Sequence, residues 1–265
     1  MAELAHSFDD SAAYERFIGQ WGRAAGAIFL DWVAPRANAF WLDVGCGTGL
    51  FTELILDTRS PARVIGIDQA AAQIDYASRK PVAQRASFRI GDAQALPFKN
   101  STFDVVASAL VINFIPDTPR ALSEMRRVAR PGGVVAGYVW DFKSELSPSG
   151  PFRLGLRQVI TEVPALPGTD DSGLDALGST FERAGFAEIA TRSIDVTVEF
   201  PDFEAFWAAQ TPSYSPTTKM IAEMTEGDRA RAIEAIRSML PTHPSGKIEY
   251  LARANAIKAY VPGSC

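Results

Sequence analysis

The residues best suited to chemistry form one short run, in which an aspartate precedes three glycines at alternate positions: Asp43, Gly45, Gly47 and Gly49. The run ends an apolar stretch and opens an amphipathic one, a pattern that predicts a strand turning into a helix. Glycine lets backbone approach a ligand closely, and the unpaired N–H groups at the start of a helix suit polar or anionic groups. The pattern therefore predicts a nucleotide-binding turn.

A second carboxylate, Asp68, follows Gly49 by 19 residues and ends the apolar run 64–67. At the tip of a second strand it would accept hydrogen bonds from both hydroxyls of a ribose, which suits NAD and S-adenosylmethionine alike. Gly91-Asp92-Ala93 places another carboxylate and a free amide where an adenine edge would lie. A fourth run, 103–110, ends in small residues that leave room for a ligand.

The elements that must position these residues alternate along the first half of the chain, as in a parallel sheet with helices on both faces. Such a sheet binds ligands outside the carboxyl ends of its strands, beside the first strand. We expect strands at 38–44, 63–67, 86–90, 103–109 and 134–140, and helices at 48–56, 70–80 and 119–129, the last with Thr118 as N-cap and Pro131-Gly132-Gly133 as a stop.

The second half predicts a cap over this sheet. Segments 141–173 and 201–246 read as insertions, while a helix at 174–184 and strands at 186–200 and 252–261 complete the sheet. Their aromatic residues either line a pocket for an apolar acceptor or form the cap's own core. They are Phe142, Phe152, Phe203, Phe206, Trp207 and Tyr214, with Tyr138 and Trp140 from the fifth strand.

Bulk composition narrows the class of partner. The chain has 265 residues, a net charge of −5 and two cysteines. We expect one domain, no nucleic-acid or membrane partner, no disulfide framework and no bound metal. Residues 1–10 lack the apolar core of a signal peptide, so we expect a cytoplasmic protein.

Taken together and in this order, the motifs resemble those of class I S-adenosylmethionine-dependent methyltransferases of the small-molecule, type 11-like group. The likeness rests on runs 42–49, 91–98, 103–106 and 130–133 and covers about residues 14–140. It implies an α/β fold with a doubly wound, mostly parallel seven-stranded sheet in the order 3-2-1-4-5-7-6, the last strand antiparallel. Within the single domain 1–265 it implies cofactor-covering helices in 1–37, a cofactor-binding core in 38–140, cap insertions in 141–173 and 201–246, and the rest of the sheet in 174–200 and 247–265.

The resemblance also implies roles for individual residues around S-adenosylmethionine. The methionine end would contact the glycine loop, with Asp43 at its ammonium group, and the adenosine would contact the carboxylates after the second and third strands. The implied cofactor residues are Tyr14, Arg16, Asp43, Gly45, Cys46, Gly47, Gly49, Asp68, Gln69, Asp92, Ala93, Ala109 and Leu110.

Several of these residues also have a purely structural interpretation. Asp68 would serve as a helix N-cap, Asp92 would cap a short turn, and Tyr14 would pack in the core. Cys46 has no neighbouring basic residue in the sequence to lower its pKa, so we interpret it as a packing residue rather than a nucleophile.

Catalytic residues are not evident. Many members of the group carry a histidine soon after the fourth strand, where this chain has Asn113; His243, in a predicted loop, is the other base to consider. We expect transfer of a methyl group to an unidentified small-molecule acceptor by in-line displacement, with a homodimer as a candidate assembly. The alternatives are a non-catalytic adenosyl-cofactor-binding protein and an NAD-dependent oxidoreductase.

Overall fold

A single mixed sheet organises the protein. The computed structural model describes residues 11–212, 216–241 and 243–263, with backbone alone at 11–18, 20 and 216. In these ranges seven strands lie in the order β3-β2-β1-β4-β5-β7-β6, and β7 runs antiparallel to both of its neighbours. This confirms the predicted fold. The strands are β1 (Phe40–Val44), β2 (Arg63–Asp68), β3 (Ser87–Ile90), β4 (Phe103–Ala109), β5 (Ala129–Trp140), β6 (Ala187–Phe200) and β7 (Ile248–Tyr260).

Helices cover both faces because successive side chains of a buried strand point in opposite directions. Trp41 of β1 packs in the cluster that contains α1 and α2 residues, whereas Leu42 and Val44 pack in the one that contains α4 and α6 residues. The helices are α1 (Ser11–Val33), α2 (Leu50–Thr58), α3 (Ala71–Arg79), α4 (Thr118–Val128), α5 (Gly150–Arg157), α6 (Leu174–Arg183), α7 (Phe203–Gln210), α8 (Pro216–Glu223) and α9 (Glu226–Ser238).

Two local predictions around α4 were wrong. The N-cap of α4 is Asp117, whose carboxylate accepts the Arg120 N–H at 3.0 Å, rather than Thr118. The helix stops as predicted, since α4 ends at Val128, but the predicted start of the fifth strand at 134 was wrong: β5 begins at Ala129, before the proline and glycines. The strand continues through them because Gly132 and Gly133 exchange backbone hydrogen bonds with Val261 at 2.8 and 2.9 Å, which Pro131 cannot do.

The cap shares its core with the sheet. The ring centroids of Trp21 on α1 and Phe200 on β6 lie 5.2 Å apart. Phe200 in turn lies 5.2 Å from Phe206 on α7, and Phe206 lies 6.4 Å from Phe152 on α5. These rings join the two predicted insertions to α1 through one continuous apolar cluster.

The helices of the described ranges include none that is both long enough and apolar enough to cross a membrane.

Candidate functional site

A glycine loop at the carboxyl end of β1 forms the centre of the site. The N–H groups of Gly45 and Cys46 both donate to the Ile67 carbonyl, at 2.8 and 3.0 Å, so the loop is fixed to the end of the neighbouring strand β2. Gly45, Gly47 and Gly49 have φ values of 75°, 51° and 82°. Backbone N–H groups are thereby gathered at the sheet edge where doubly wound folds bind ligands.

Asp68 ends β2 and ties two segments together. One carboxylate oxygen accepts the Gly47 N–H at 2.9 Å and the other accepts the Ala70 N–H at 2.9 Å. The N-cap of α3 is Ala70, so the interpretation of Asp68 as the helix N-cap was wrong. Each carboxylate oxygen has a further lone pair, so Asp68 retains acceptors for hydroxyl groups of a ligand.

Asp43 is a buried carboxylate with one unused oxygen. Its Oδ2 accepts the Thr52 hydroxyl at 2.6 Å, while its Oδ1 is buried and has no hydrogen-bond partner among the described residues. The pKa of Asp43 is raised to about 7, mainly by burial and in smaller part by the charge of Asp68, against the hydrogen bonds with Thr52, which lower it. A buried, unsatisfied acceptor is unfavourable unless a ligand or water completes it.

The segment after β4 packs directly on the glycine loop. A Cβ placed on Gly45 would lie 2.6 Å from a methyl carbon of Val111, closer than real Cβ contacts allow. Leu110 adopts a φ of 62°, which is uncommon outside glycine, and its N–H donates to the Tyr138 carbonyl at 2.7 Å. The loop after β4 and the loop after β1 are therefore fitted to each other.

The residues expected at the adenine are the most open part of the site. Asp92 is exposed, and its carboxylate accepts both the Gln94 N–H at 2.8 Å and the Gln94 side-chain amide at 3.0 Å. These hydrogen bonds lower the pKa of Asp92. Gln69 is exposed, whereas Ala93 and Ala109 are half-buried. Asp92 thus stabilises its own turn, as the structural interpretation predicts, while staying accessible.

Two further expectations concern Cys46 in the glycine loop and two residues of α1. Cys46 is buried, and burial raises the pKa of its thiol well above the usual value. This agrees with packing rather than nucleophilic chemistry. Tyr14 and Arg16 belong to α1, but their side chains lie outside the part of the structure that is described.

Most of the aromatic residues expected to line an acceptor pocket are core residues instead. Tyr138 is 2 % exposed and donates its hydroxyl to the Gly22 carbonyl at 3.1 Å. Trp140, Phe152, Phe203 and Phe206 belong to the apolar cluster beneath the cap. The pocket interpretation was wrong for Tyr138, Trp140, Phe152 and Phe206, whose rings pack in this cluster. Phe203 packs there too, but it also lines a pocket beside Arg237 and Ile248. Tyr214 lies outside the described residues.

Neither of the two residues considered as a base, Asn113 and His243, supplies one at the loop after β4. Asn113 is buried there, with its side-chain amide 3.5 Å from the Gly168 carbonyl, and an amide does not accept a proton near neutral pH. His243 is exposed, with Nδ1 2.9 Å from the Ser245 hydroxyl. Within the described ranges there is also no group of three or more His, Cys, Asp or Glu residues placed to hold a metal ion.

Sequence reasoning missed two contacts of the candidate site, that of Thr52 with Asp43 and that of Val111 with Gly45. Both Thr52 and Val111 lie in apolar-periodic segments whose pattern identifies buried faces but not the partner across them. The nine-residue separation of Thr52 from Asp43 is explained only once α2 folds back over β1.

Comparisons with known proteins agree with this geometry. Residues 42–137 match a family model described as a methyltransferase domain. The malonyl-[acyl-carrier protein] O-methyltransferase of Serratia marcescens is 32% identical over 134 residues, which are 51% of this chain and 48% of that protein. The demethylmenaquinone methyltransferase of Lactiplantibacillus plantarum is 41% identical over 101 residues, 36% of this chain and 43% of that one. The alignments therefore span less than half the length of both curated relatives.

Among solved structures, phosphoethanolamine N-methyltransferase 2 of Haemonchus contortus has a TM-score of 0.61 and 20% identity. The match covers 98% of this chain and 59% of that one, which was solved with phosphomonomethylethanolamine and S-adenosylhomocysteine. At this identity the likeness shows the fold.

Proposed function

Residues 42–137 belong to the methyltransferase-domain family, and on this premise we propose that the chain binds S-adenosylmethionine and transfers its methyl group to a small-molecule acceptor. The observation that supports this most directly is the unpartnered Oδ1 of buried Asp43 beside the glycine loop. An ammonium group supplies both the donor and the positive charge that this oxygen lacks. S-adenosylmethionine carries such a group at its methionine end.

The roles we propose follow the edge of the sheet from β1 to β4. Asp43 binds the ammonium group, and the backbone of the glycine loop lies under the methionine end. Asp68 accepts the ribose hydroxyls with the lone pairs that Gly47 and Ala70 leave free. Asp92, Ala93 and Gln69 border the adenine, and Ala109 and Leu110 lie near the sulfur.

The cofactor supplies a methyl group that is already activated by its positive sulfur. The work left to the protein is alignment of the acceptor and exclusion of water. Val111 fixes the loop after β4 against the glycine loop, so acceptor and donor surfaces keep one relative position. Asn113 cannot remove a proton, which favours acceptors that are nucleophilic without an adjacent base.

Calorimetry with S-adenosylmethionine, S-adenosylhomocysteine and NAD tests the cofactor assignment. We expect both adenosyl sulfur compounds to bind with micromolar or tighter dissociation constants and NAD to bind far more weakly, because Asp43 finds an ammonium group only in the former. Dissociation constants above millimolar for both adenosyl compounds would refute the proposal, and selective binding of NAD would support the oxidoreductase instead.

The affinity for S-adenosylmethionine is expected to depend on pH through Asp43. Its pKa of about 7 means that the carboxyl is protonated in the free protein at pH 6, and it must lose that proton to bind an ammonium group. The dissociation constant should therefore fall about tenfold for each pH unit up to 7 and level off above it. Titrations between pH 5.5 and 8.5 measure this slope.

The same group gives the free protein a slope of opposite sign. A raised folded-state pKa contributes stability that is present below the unfolded value of 3.8 and is lost as pH rises towards 7. Asp43→Asn stays neutral, so both slopes should disappear from this variant. A pH-dependent affinity that persists in Asp43→Asn would exclude Asp43 as its cause.

A binding protein without catalysis is the second candidate, and the presence of Asn113 where many related enzymes carry a base supports keeping it. Release of S-adenosylhomocysteine across a broad acceptor panel distinguishes the two. The two curated relatives are named for different acceptors, malonyl-[acyl-carrier protein] and demethylmenaquinone, so the panel should include carboxylic, phenolic and quinol compounds. Tight cofactor binding without turnover on any of them would favour the second candidate.

A further inference from the structure

A small cavity lies between α5 and the segments on either side of it. It has a volume of about 50 Å³ and is lined by Phe142, Ser147, Arg153, Leu166 and Thr169, together with an ion pair described below. Apolar and polar groups thus face the same space. The cavity has no part in the cofactor contacts proposed above.

Arg153 is the unusual member of this lining. It is 6 % exposed, and its guanidinium makes one hydrogen bond, from Nη2 to the Pro164 carbonyl at 2.7 Å. Its other nitrogens have no hydrogen-bond or ion-pair partner among the residues that the structure describes. Burial lowers the pKa of Arg153, as does the nearby charge of Arg157, while Glu145 opposes the shift.

The charges around the cavity leave one cation without a counter-ion. Arg157 forms an ion pair with Glu145, so the one carboxylate among the described lining residues is already engaged. Arg153 is the excess positive charge. A buried charge is unfavourable unless it is paired, which makes the cavity attractive to an anion.

The cavity lies at the same sheet edge as the glycine loop. Phe142 follows β5 directly, and its ring lies 5.9 Å from that of Phe114, which follows β4. Asn113 contacts Gly168, in the segment that carries Leu166 and Thr169. Since β4 is the neighbour of β1 in the sheet, an acceptor held in the cavity approaches the cofactor from the side of β4.

We propose that Arg153 binds a carboxylate group of the methyl acceptor, with Phe142 and Leu166 against the apolar carbons next to it. A guanidinium has five N–H donors in one plane, and Pro164 uses one of them, so two parallel hydrogen bonds to a carboxylate remain available. The bound carboxylate anchors the acceptor and is separate from the atom that receives the methyl group. This inference rests on the proposed function and specifies its substrate as a small organic acid.

The test uses the full chain saturated with S-adenosylhomocysteine and three small probes: propionate, its neutral analogue propionamide, and methyl phosphate. Binding is followed by NMR, through the Nε–Hε resonance of Arg153. We expect propionate to shift this resonance and to bind at least tenfold more tightly than propionamide. Equal affinities for propionate and propionamide would overturn the proposal. Tighter binding of methyl phosphate than of propionate would also overturn it, because the site would then recognise a phosphate group rather than a carboxylate.

Variants separate anion binding from a structural role of Arg153. Arg153→Met should lower propionate affinity at least tenfold, measured from ligand resonances, and leave propionamide unchanged. Arg153→Lys keeps the charge but not the paired donors, so its propionate affinity should lie between that of Arg153→Met and that of the unmodified chain. It replaces Arg153→Met in the test if Arg153→Met does not fold. Arg183→Met, at an exposed position of α6, is the control and should bind propionate as the unmodified chain does. Full propionate affinity in folded Arg153→Met or Arg153→Lys would overturn the proposal.

The two proposals fail separately. If the chain binds propionate through Arg153 but does not bind S-adenosylhomocysteine, the proposed methyl transfer is refuted and the anion site stands. Normal cofactor affinity without propionate binding would refute the anion site alone.

Discussion

Asp68→Ala is expected to weaken S-adenosylmethionine binding by roughly ten- to 150-fold, about 1.5–3 kcal/mol, the scale for losing hydrogen bonds to a charged group. The carboxylate acts twice: its free lone pairs are placed for the ribose hydroxyls, and its occupied ones hold the Gly47 and Ala70 N–H groups. Removing it leaves both N–H groups without their acceptor and loosens the glycine loop, which still keeps the hydrogen bonds from Gly45 and Cys46 to the Ile67 carbonyl. Calorimetry of the variant and the unmodified chain measures the change.

The control for Asp68→Ala is an aspartate that only caps a helix. Asp202 is the N-cap of α7 and accepts the Ala205 N–H at 2.8 Å. Asp202→Ala should lose about 1 kcal/mol of unfolding free energy without a change in cofactor affinity. If Asp68→Ala behaved like Asp202→Ala, with lower stability and intact affinity, Asp68 would be a structural residue and not a ribose ligand.

Gly45→Ala should be the most damaging change of a single methyl group in the site. At a φ of 75° an L-residue is strained by roughly 1–2 kcal/mol. The new methyl would also lie 2.6 to 2.9 Å from side-chain atoms of Val111. Val111 is branched at Cβ and cannot rotate away freely, so overpacking adds about 1–3 kcal/mol. Denaturant unfolding measures the loss of stability, and calorimetry measures the loss of cofactor affinity that a displaced loop causes.

Gly132 separates the two causes of this loss. Its φ is 73°, nearly that of Gly45, but a Cβ there would meet no atom within 4 Å. Gly132→Ala should therefore show the backbone strain alone. Gly45→Ala should therefore lose more stability than Gly132→Ala. Adding Val111→Ala to Gly45→Ala should recover part of this extra loss, which measures the coupling between the two positions. Equal losses for Gly45→Ala and Gly132→Ala, without coupling to Val111, would show that the close contact has no energetic effect.

The ends of the parallel strands could be read from sequence because their signals are local. Asp43, Gly45 and Asp68 sit where an apolar run stops, and a parallel sheet brings all such stops to one edge. The continuation of β5 through Pro131 could not be read in this way. It depends on hydrogen bonds to Val261, a residue 130 positions away in sequence.

The acceptor side was predicted least well, for a related reason. The residue type of an aromatic side chain such as Tyr138 or Phe206 does not distinguish a place in the core from a place in a pocket lining. Here both fill the core. Arg153 gave no signal at all. Its burial and its lack of a counter-ion arise from α5 and the segment around Pro164 folding together.

The continuous row of rings from Trp21 through Phe200 and Phe206 to Phe152 has a consequence for how such an enzyme can diversify. Its cap is not a module that recombination can exchange for another, since the inner faces of α5 and α7 complete the core of α1 and β6. A transplanted cap would bring mismatched side chains into a close-packed interior. If the proposed function holds, we therefore expect a change of acceptor to come from point substitutions at the cavity surface rather than from exchange of the cap.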